Sequence, residues 1–518
     1  MRKSQLTLPV LSEGINLIDD TLIADNEAAI GTQNISFKNG IPTTRKGYIK
    51  DCTHNFSSEV HTLVNYVKNG TRIVLAAAGT TLYKKTSSSI FTAITGTLAS
   101  DVISTLTYPF KFADPDTYSD KCFILDGTNY RYYNDDGTLT DVTAYSPTTD
   151  EQTKYGTNVL STTPDEIKKQ KWIINDNDRV WVAGYGKLVR LSHLSKPDYF
   201  PSSQVWKLSE DCTGLVQFSD EVLMFTENTA TLIKGSTPDW SLPDKYIRRS
   251  LPVNYGCSQH RSIAKGNGAL YWASRGGVFR YLQLPDGTYE PQCISEVEVK
   301  RGSKKHIKSV KAYIEAVTDW SKVFAVFCNN EYRLCLGDMS WLVWDAIGST
   351  WSYYVYDKVF NHAIAYHDTL YSAKSYYYLL DKAYDEGSYD GLSDDGTAID
   401  FKLKSKFYNF EKAANKKKFK KFFFTIKSDY VSYDIDLIIN IDNQYISIQN
   451  QIYNKVSRWG EFLFGDKVSV NTTNLNYPIR INHSGKKYNI QYELDCNTLN
   501  QAFSLIDTTL LLKIKELK

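Results

Sequence analysis

Between residues 62 and 382 the chain repeats one short phrase about seven times. Each copy has a polar turn, a strand of large apolar residues, then a further turn and strand. The copy from Thr62 to Lys85 reads TLVNYVKNGTRIVLAAAGTTLYKK, and the copy from Leu215 to Gly235 reads LVQFSDEVLMFTENTATLIKG. Most copies carry their turn at Asn69-Gly70, Asp176 to Asp178, Asp220, Asn267-Gly268, Asn329-Asn330 or Asp368. These turns fall roughly 50 residues apart, which is the period of a four-stranded propeller blade. Such a hairpin unit cannot bury its faces alone, so the copies must pack around an axis. The expected fold is all-β, with a β-propeller of about seven blades.

Residue usage agrees. The chain carries 37 Tyr against 3 Met, and Tyr, Phe and Thr suit pleated, half-buried surfaces. No stretch holds apolar residues at helical spacing for many turns. The pattern divides the chain into three parts. Residues 1–50 lack the hairpin phrase and read as an N-terminal extended arm or first strands, with a tight turn at Asn39-Gly40 between ISF and IPTTRKG and with Asp25 capping one helical turn over DNEAAI. Residues 51–392 hold the repeats, interrupted by a polar surface loop at Thr140 to Gln170 and a lysine-rich solvated break at Glu296 to Lys311. After a Gly/Asp/Ser-rich linker, residues 393–518 change to longer alternating strands, the expectation for a C-terminal antiparallel β-sandwich.

Sixty basic against 58 acidic residues give a net charge of +2, which excludes binding to polyanions or membrane surfaces by bulk charge. No run approaches the roughly 18 apolar residues of a membrane span. The start, MRKSQLTLPVLSEG, is broken by Pro9, Ser12, Glu13 and Gly14, so no signal peptide is expected. The eight cysteines contain no CxxC pair; no disulfide or zinc framework is expected, and reduced thiols fit best.

Catalytic patterns are sparse. Asp345 to Trp351 resembles the end of a sialidase Asp-box turn with one residue too many, and no acid–nucleophile pair stands out. His362 and His367 flank one apolar strand at a spacing that puts them on opposite faces. One is expected in a turn beside Asp368, the other against Tyr366 or Trp351. Nucleophile-elbow, zincin and phosphate-loop motifs are missing from the sequence. The reading is therefore no enzyme, no cofactor and no metal. The cluster Lys416, Lys417, Lys418, Lys420 and Lys421 beside Phe residues suits a nucleic-acid phosphate contact, a lysine-guarded strand edge, or an acidic surface on a neighbouring subunit.

Several fragments together resemble bacteriophage virion β-propeller proteins of the neck and tail. The opening NLIDDTLIADNEAAIGTQNISFKNGIPTTRKGY matches their first segment at Asn16, Asp25, Asn26, Glu27, Asn34, Gly40, Arg45 and Gly47. LVRLSHLSKPDYFP from Leu188 resembles a phrase that recurs in mid-propeller, and the segment from Trp341 through Phe424 is similar to the last blade and the following sandwich. The resemblance implies a tail nozzle, hub or packaged-DNA-stabilising protein: a homo-oligomeric ring that extends the portal channel, retains DNA and takes part in ejection. It further implies partners among the tail and portal proteins, passive contact with packaged DNA, and a virion location after synthesis in the host cytoplasm. Asn16, Asp25, Asn26, Glu27, Asn34 and Arg45 become candidate assembly contacts. The competing readings are a propeller-based tail protein that binds or degrades host carbohydrate, and a Kelch-like scaffold, for which only Gly276-Gly277 supplies the double glycine.

Overall fold

The computed structural model describes residues 2–17, 29–109, 117–161, 166–238, 245–251, 256–301, 304–383, 391–408, 417–427, 433–442, 444–452, 475–480, 489–497 and 504–514. Strand accounts for 51% and helix for 6%, so the all-β expectation holds.

Each repeat forms a four-stranded antiparallel sheet. Five sheets are consecutive meanders, over residues 60–93, 104–141, 172–207, 214–250 and 264–293. A sixth meander covers 324–355. The seventh takes three strands from 362–380 and its fourth, Tyr48–Cys52, from the N-terminal segment. The polar turns fall where the sequence places them. Asn69 and Gly70, Asn267 and Gly268, and Asn329 and Asn330 all adopt positive φ, the twist that a two-residue hairpin requires.

The second strand of a unit is buried on both faces, as in Arg179–Ala183 and Glu221–Phe225. Alternate residues therefore belong to different cores. Val180 and Val182 face the second unit, while Trp181 and Ala183 face the fourth. Val222 and Met224 join that same third–fourth core, and Leu223 and Phe225 pack towards the fifth unit. An apolar cluster of this kind fills every junction between consecutive units. The circle closes where Val60, Leu63 and Val74 of the first unit meet Ile364, Ala373 and Tyr377 of the seventh.

Residues 1–50 were expected as an extended arm or first strands; their described parts are woven into the rest of the chain. Arg2–Leu8 pairs along its length with Ser504–Ile514. Gly31–Gln33 pairs with Phe401–Lys404. Ile35–Ser36 and Thr43–Thr44 bridge the outer strand of the sixth unit to Ser504–Ile514, making one continuous sheet. Of the two readings, first strands describes these parts better than a free arm; the distant partners, Ser504–Ile514 and Phe401–Lys404, lie beyond any local pattern. The DNEAAI turn lies outside the described residues.

Beyond residue 400 two sheets form. One has the order Gly31–Gln33, Phe401–Lys404, Ile490–Cys496, Tyr433–Ile441, Gln444–Ile452; the other holds Arg2–Leu8, Ser504–Ile514, Lys417–Lys427 and Leu475–Arg480. Leu437, Ile439 and Tyr492 from the first share a core with Leu8, Phe422 and Leu510 from the second. Phe422 and Tyr492 meet at a ring separation of 5.2 Å.

Two expected loops carry structure. The 140–170 insertion contains a helix, Thr149–Tyr155, closed by a Thr148–Glu151 capping box, and it buries Val159, Leu160 and Ile167 against the second unit. The 296–311 break is a hairpin, Glu296–Arg301 against Lys304–Ser309. No described helix is long and apolar enough to cross a membrane.

Because strands within residues 2–44 belong to two sheets, deleting residues 1–47 should give insoluble protein or a strongly lowered melting temperature. Solubility and thermal unfolding check this; a soluble, cooperatively folded truncate would refute it.

Candidate functional site

The residues singled out by sequence divide sharply once placed. Asn34 takes a positive φ of 59°, which turns its carboxamide inward. Its Oδ1 accepts from Arg45 Nε at 2.7 Å and from the Val355 amide at 2.7 Å. Arg45 then grips Asp394 in bidentate fashion, at 2.8 and 2.6 Å, and lies 4.2 Å from the Tyr356 ring centroid. Both charged side chains are almost fully enclosed, at 1% and 2% exposure. Burial opposes the guanidinium charge, and the Asp394 carboxylate outweighs it, so Arg45 is held above its ordinary value. Gly47 passes so close to the 393 backbone that a Cβ would lie 1.9 Å from the Ser393 carbonyl oxygen. The Arg-x-Gly motif is thus a latch holding the strand that closes the seventh unit.

Asn16 is also buried, and its Oδ1 accepts from the Ser309 amide at 3.2 Å. Asn16, Asn34 and Arg45 therefore offer no surface to another subunit, which corrects their reading as assembly contacts. Asp25, Asn26 and Glu27 lie outside the described residues, as does Lys416. The basic cluster is dispersed. Lys417 is buried, Lys418 and Lys420 are half-buried, and Lys421 is exposed. From Lys421 onward the strand is flanked on both sides, by Ser504–Ile514 and Leu475–Arg480. Before Lys421, where Lys417, Lys418 and Lys420 lie, one neighbouring strand is described.

The site that the topology builds lies on the axis. The entry ends of the first strands surround a depression of about 800 Å³ lined by residues of six of the seven units. Arg261, from the turn before the fifth unit, reaches across it. Its Nη2 donates to the carbonyl oxygens of His61, at 2.9 Å, and of Asn361. The rings of His260 and His362 stand beside it. His260 stacks on Trp172 at 4.2 Å, and its Nδ1 accepts from the Leu215 amide at 3.2 Å. His362 Nδ1 accepts from the Leu63 amide at 3.1 Å. Both rings must therefore be unprotonated at Nδ1. Burial, then the Arg261 charge, pushes His260 down to about 3 and His362 well below its ordinary value. Burial pushes Arg261 itself down to about 10.

The acids lining this depression are occupied. Asp126 accepts from the amides of Ala99, Thr128 and Asn129 and from the Asn129 side chain. Glu59 faces Lys374 and Asn361, and Asp338 accepts from the Ser340 amide. Asp101, behind the rim, holds His61 at 2.8 Å. Asp345 of the sialidase-like turn accepts from the Ile347 amide and closes a hairpin. His367 takes the turn conformation and packs on Tyr366, whereas His362 faces the axis rather than Trp351. All eight cysteines are unpaired thiols, seven of them buried.

Sequence reasoning missed Gln259, His260 and Arg261 because a single 3-10 turn has no periodicity. The one available signal was position: a His-Arg pair placed immediately before an inner strand, where turn residues crowd the axis.

Two outcomes are expected. Replacing Arg45 with Met or Asp394 with Asn strands a buried charged partner and should cost about 3–5 kcal/mol, read from denaturant unfolding. For the histidines, the folded pKa lies below the unfolded value near 6.5, so the unfolded chain binds more protons between the two. Stability should therefore be intact above pH 6.5 and fall as pH drops towards 3. His260→Gln and His362→Gln should flatten that fall; unchanged profiles would contradict the assignment.

No protein-family model and no curated protein matches the chain. Solved structures with similar folds are β-propellers or WD40-like. BamB from Moraxella catarrhalis shares 8% identity over 68% of this chain and 96% of its own, with a TM-score of 0.37. The WD40 beta propeller domain of Doa1 shares 10% over 65% and 98%, also at 0.37. Chaetomium thermophilum Raptor shares 11% over 66% of this chain but 29% of its own, at 0.39. At these values the likeness decides nothing further about this chain.

Proposed function

We propose that the protein is a non-enzymatic structural component of a bacteriophage virion, a neck or tail subunit whose ring extends the portal channel, retains packaged DNA and takes part in ejection. In this reading the seven four-stranded sheets are the blades of a seven-bladed propeller, and the two sheets beyond residue 400 are a β-sandwich. The observation that carries it is the closure of the molecule on itself. Every junction between units is filled with apolar side chains, and the N-terminal strands tie the last unit to the C-terminal sheets. Such a body suits a rigid architectural part. The resemblance of its opening, middle and closing segments to phage neck and tail proteins supplies the biological setting.

Contacts between copies then fall to the C-terminal sheets. Gln444–Ile452 and Leu475–Arg480 each have one neighbouring strand among those described, and such edges accept strands from another chain. The occupied carboxylates around the axis favour this reading over a glycan-degrading one, since hydrolysis needs a free acid and a nucleophile facing one bond.

Cryo-electron microscopy of the particle carrying a tagged copy should show the chain as a ring continuous with the portal channel. A peripheral, spike-like position would overturn the proposal, as would release of reducing sugar from host envelope by the purified protein.

A further inference from the structure

The depression on the axis contains a cation without an anion. We propose that it binds a small organic oxyanion, a phosphate or carboxylate group carried on a compact molecule, with Arg261 as the central contact and Lys171 as a second cation at the rim. The inference goes beyond the architectural role and stands or falls independently of it.

The argument starts with how Arg261 is used. A buried guanidinium ordinarily faces a carboxylate, as Arg45 does with Asp394. Arg261 instead has two carbonyl oxygens on Nη2 and lies 5.6 Å from the Phe324 ring centroid. Its Nε is enclosed with no hydrogen-bond partner. Nη1 has no partner among the described residues and is not enclosed, so it is the donor left facing the depression. Carbonyl dipoles offset part of the charge and leave the rest for a ligand.

The other charges lining the depression leave Lys171 in the same position. Lys374 faces Glu59 and Lys322 faces Asp319. Asp126 is satisfied by four donors, three within its own turn and the Ala99 amide. Asp338 is exposed and bonded to the Ser340 amide. Lys171 has no ion-pair partner among the described residues and adjoins Trp172, whose ring stacks on His260. Because His260 and His362 are neutral, they soften neither the attraction nor its selectivity. The volume, about 800 Å³, is in the range of small-molecule sites and well above that of a bare ion.

The test is calorimetric titration of the full chain at fixed ionic strength with inorganic phosphate, glucuronate and glucose. Phosphate or glucuronate should bind at one site with a Kd of about 1 mM or tighter, and glucose should not bind. Which anion prevails tells phosphate from carboxylate recognition. Arg261→Gln should abolish the heat, and Lys171→Ala, on an exposed side chain, should weaken binding about 10-fold. Should Arg261→Gln fail to fold, Lys171→Ala together with Lys171→Arg, which should restore affinity, decides the matter. No binding by either anion, equal binding of glucose, or unchanged affinity in Lys171→Ala would overturn the proposal.

Discussion

The fold depends on one buried ion pair. Arg45 and Asp394 sit where the N-terminal segment, the end of the seventh sheet and the start of the C-terminal sheets cross. Two charges taken out of water gain little net stability from each other, since desolvation offsets most of their attraction. What the pair supplies is registry. Asn34 fixes the guanidinium from one side, Tyr356 from its face and Asp394 from its far end. Three residues after Arg45 the Tyr48–Cys52 strand begins, already aimed at Tyr377–Leu380. A neutral or shorter side chain at position 45 would leave that strand without a defined starting point, and a register slip would turn its inward residues outward.

Closure matters because no unit is stable alone. A middle strand such as Arg179–Ala183 divides its side chains between two cores, so removing one unit exposes apolar surface on both neighbours. The ring therefore behaves as one cooperative body, and its weakest junction limits the whole. The seventh is that junction in principle, since a quarter of its sheet comes from the far end of the sequence. The chain compensates with aromatic packing: Tyr48 contacts Phe360 and Tyr378 edge-to-face, each at 5.3 Å.

Local physics was legible and long-range pairing was not. The turn pairs Asn69-Gly70, Asn267-Gly268 and Asn329-Asn330 announce themselves because left-handed backbone demands those residue types. Continuous runs such as RVWVA and EVLMF announce burial on both faces. Asn39-Gly40 likewise marks the turn across which Ile35–Ser36 and Thr43–Thr44 pair, but the distant partners of these two-residue strands left no local signal. Lys417 shows the converse. It lies two residues before Phe419 and is buried on the same face; the β-bulge between Phe419 and Lys421 then brings Phe422 inward in place of Lys421, a shift that leaves no mark in an alternation count. Of the motif residues Asn34, Arg45 and Gly47, the first two were read as intermolecular contacts, whereas the side chains and backbone of all three are engaged within the chain.

That reassignment moves any assembly surface. The N-terminal segment is already paired with Ser504–Ile514 and Phe401–Lys404, so it is not a free arm; like the C-terminal edges, Arg2–Leu8 and Gly31–Gln33 each have one neighbour among the described strands. The apolar faces of the repeats are likewise consumed by adjacent repeats. What stays available is backbone. The Gln444–Ile452 strand runs nine residues with neither proline nor lysine, so it lacks the devices by which free edges resist pairing. A protein that encounters only itself and one or two partners within an assembling particle has reason to keep such an edge. In a freely diffusing protein an edge without another neighbour would be an aggregation hazard, so this strand, which has one neighbour among those described, is compatible with the proposed place of the chain in a particle.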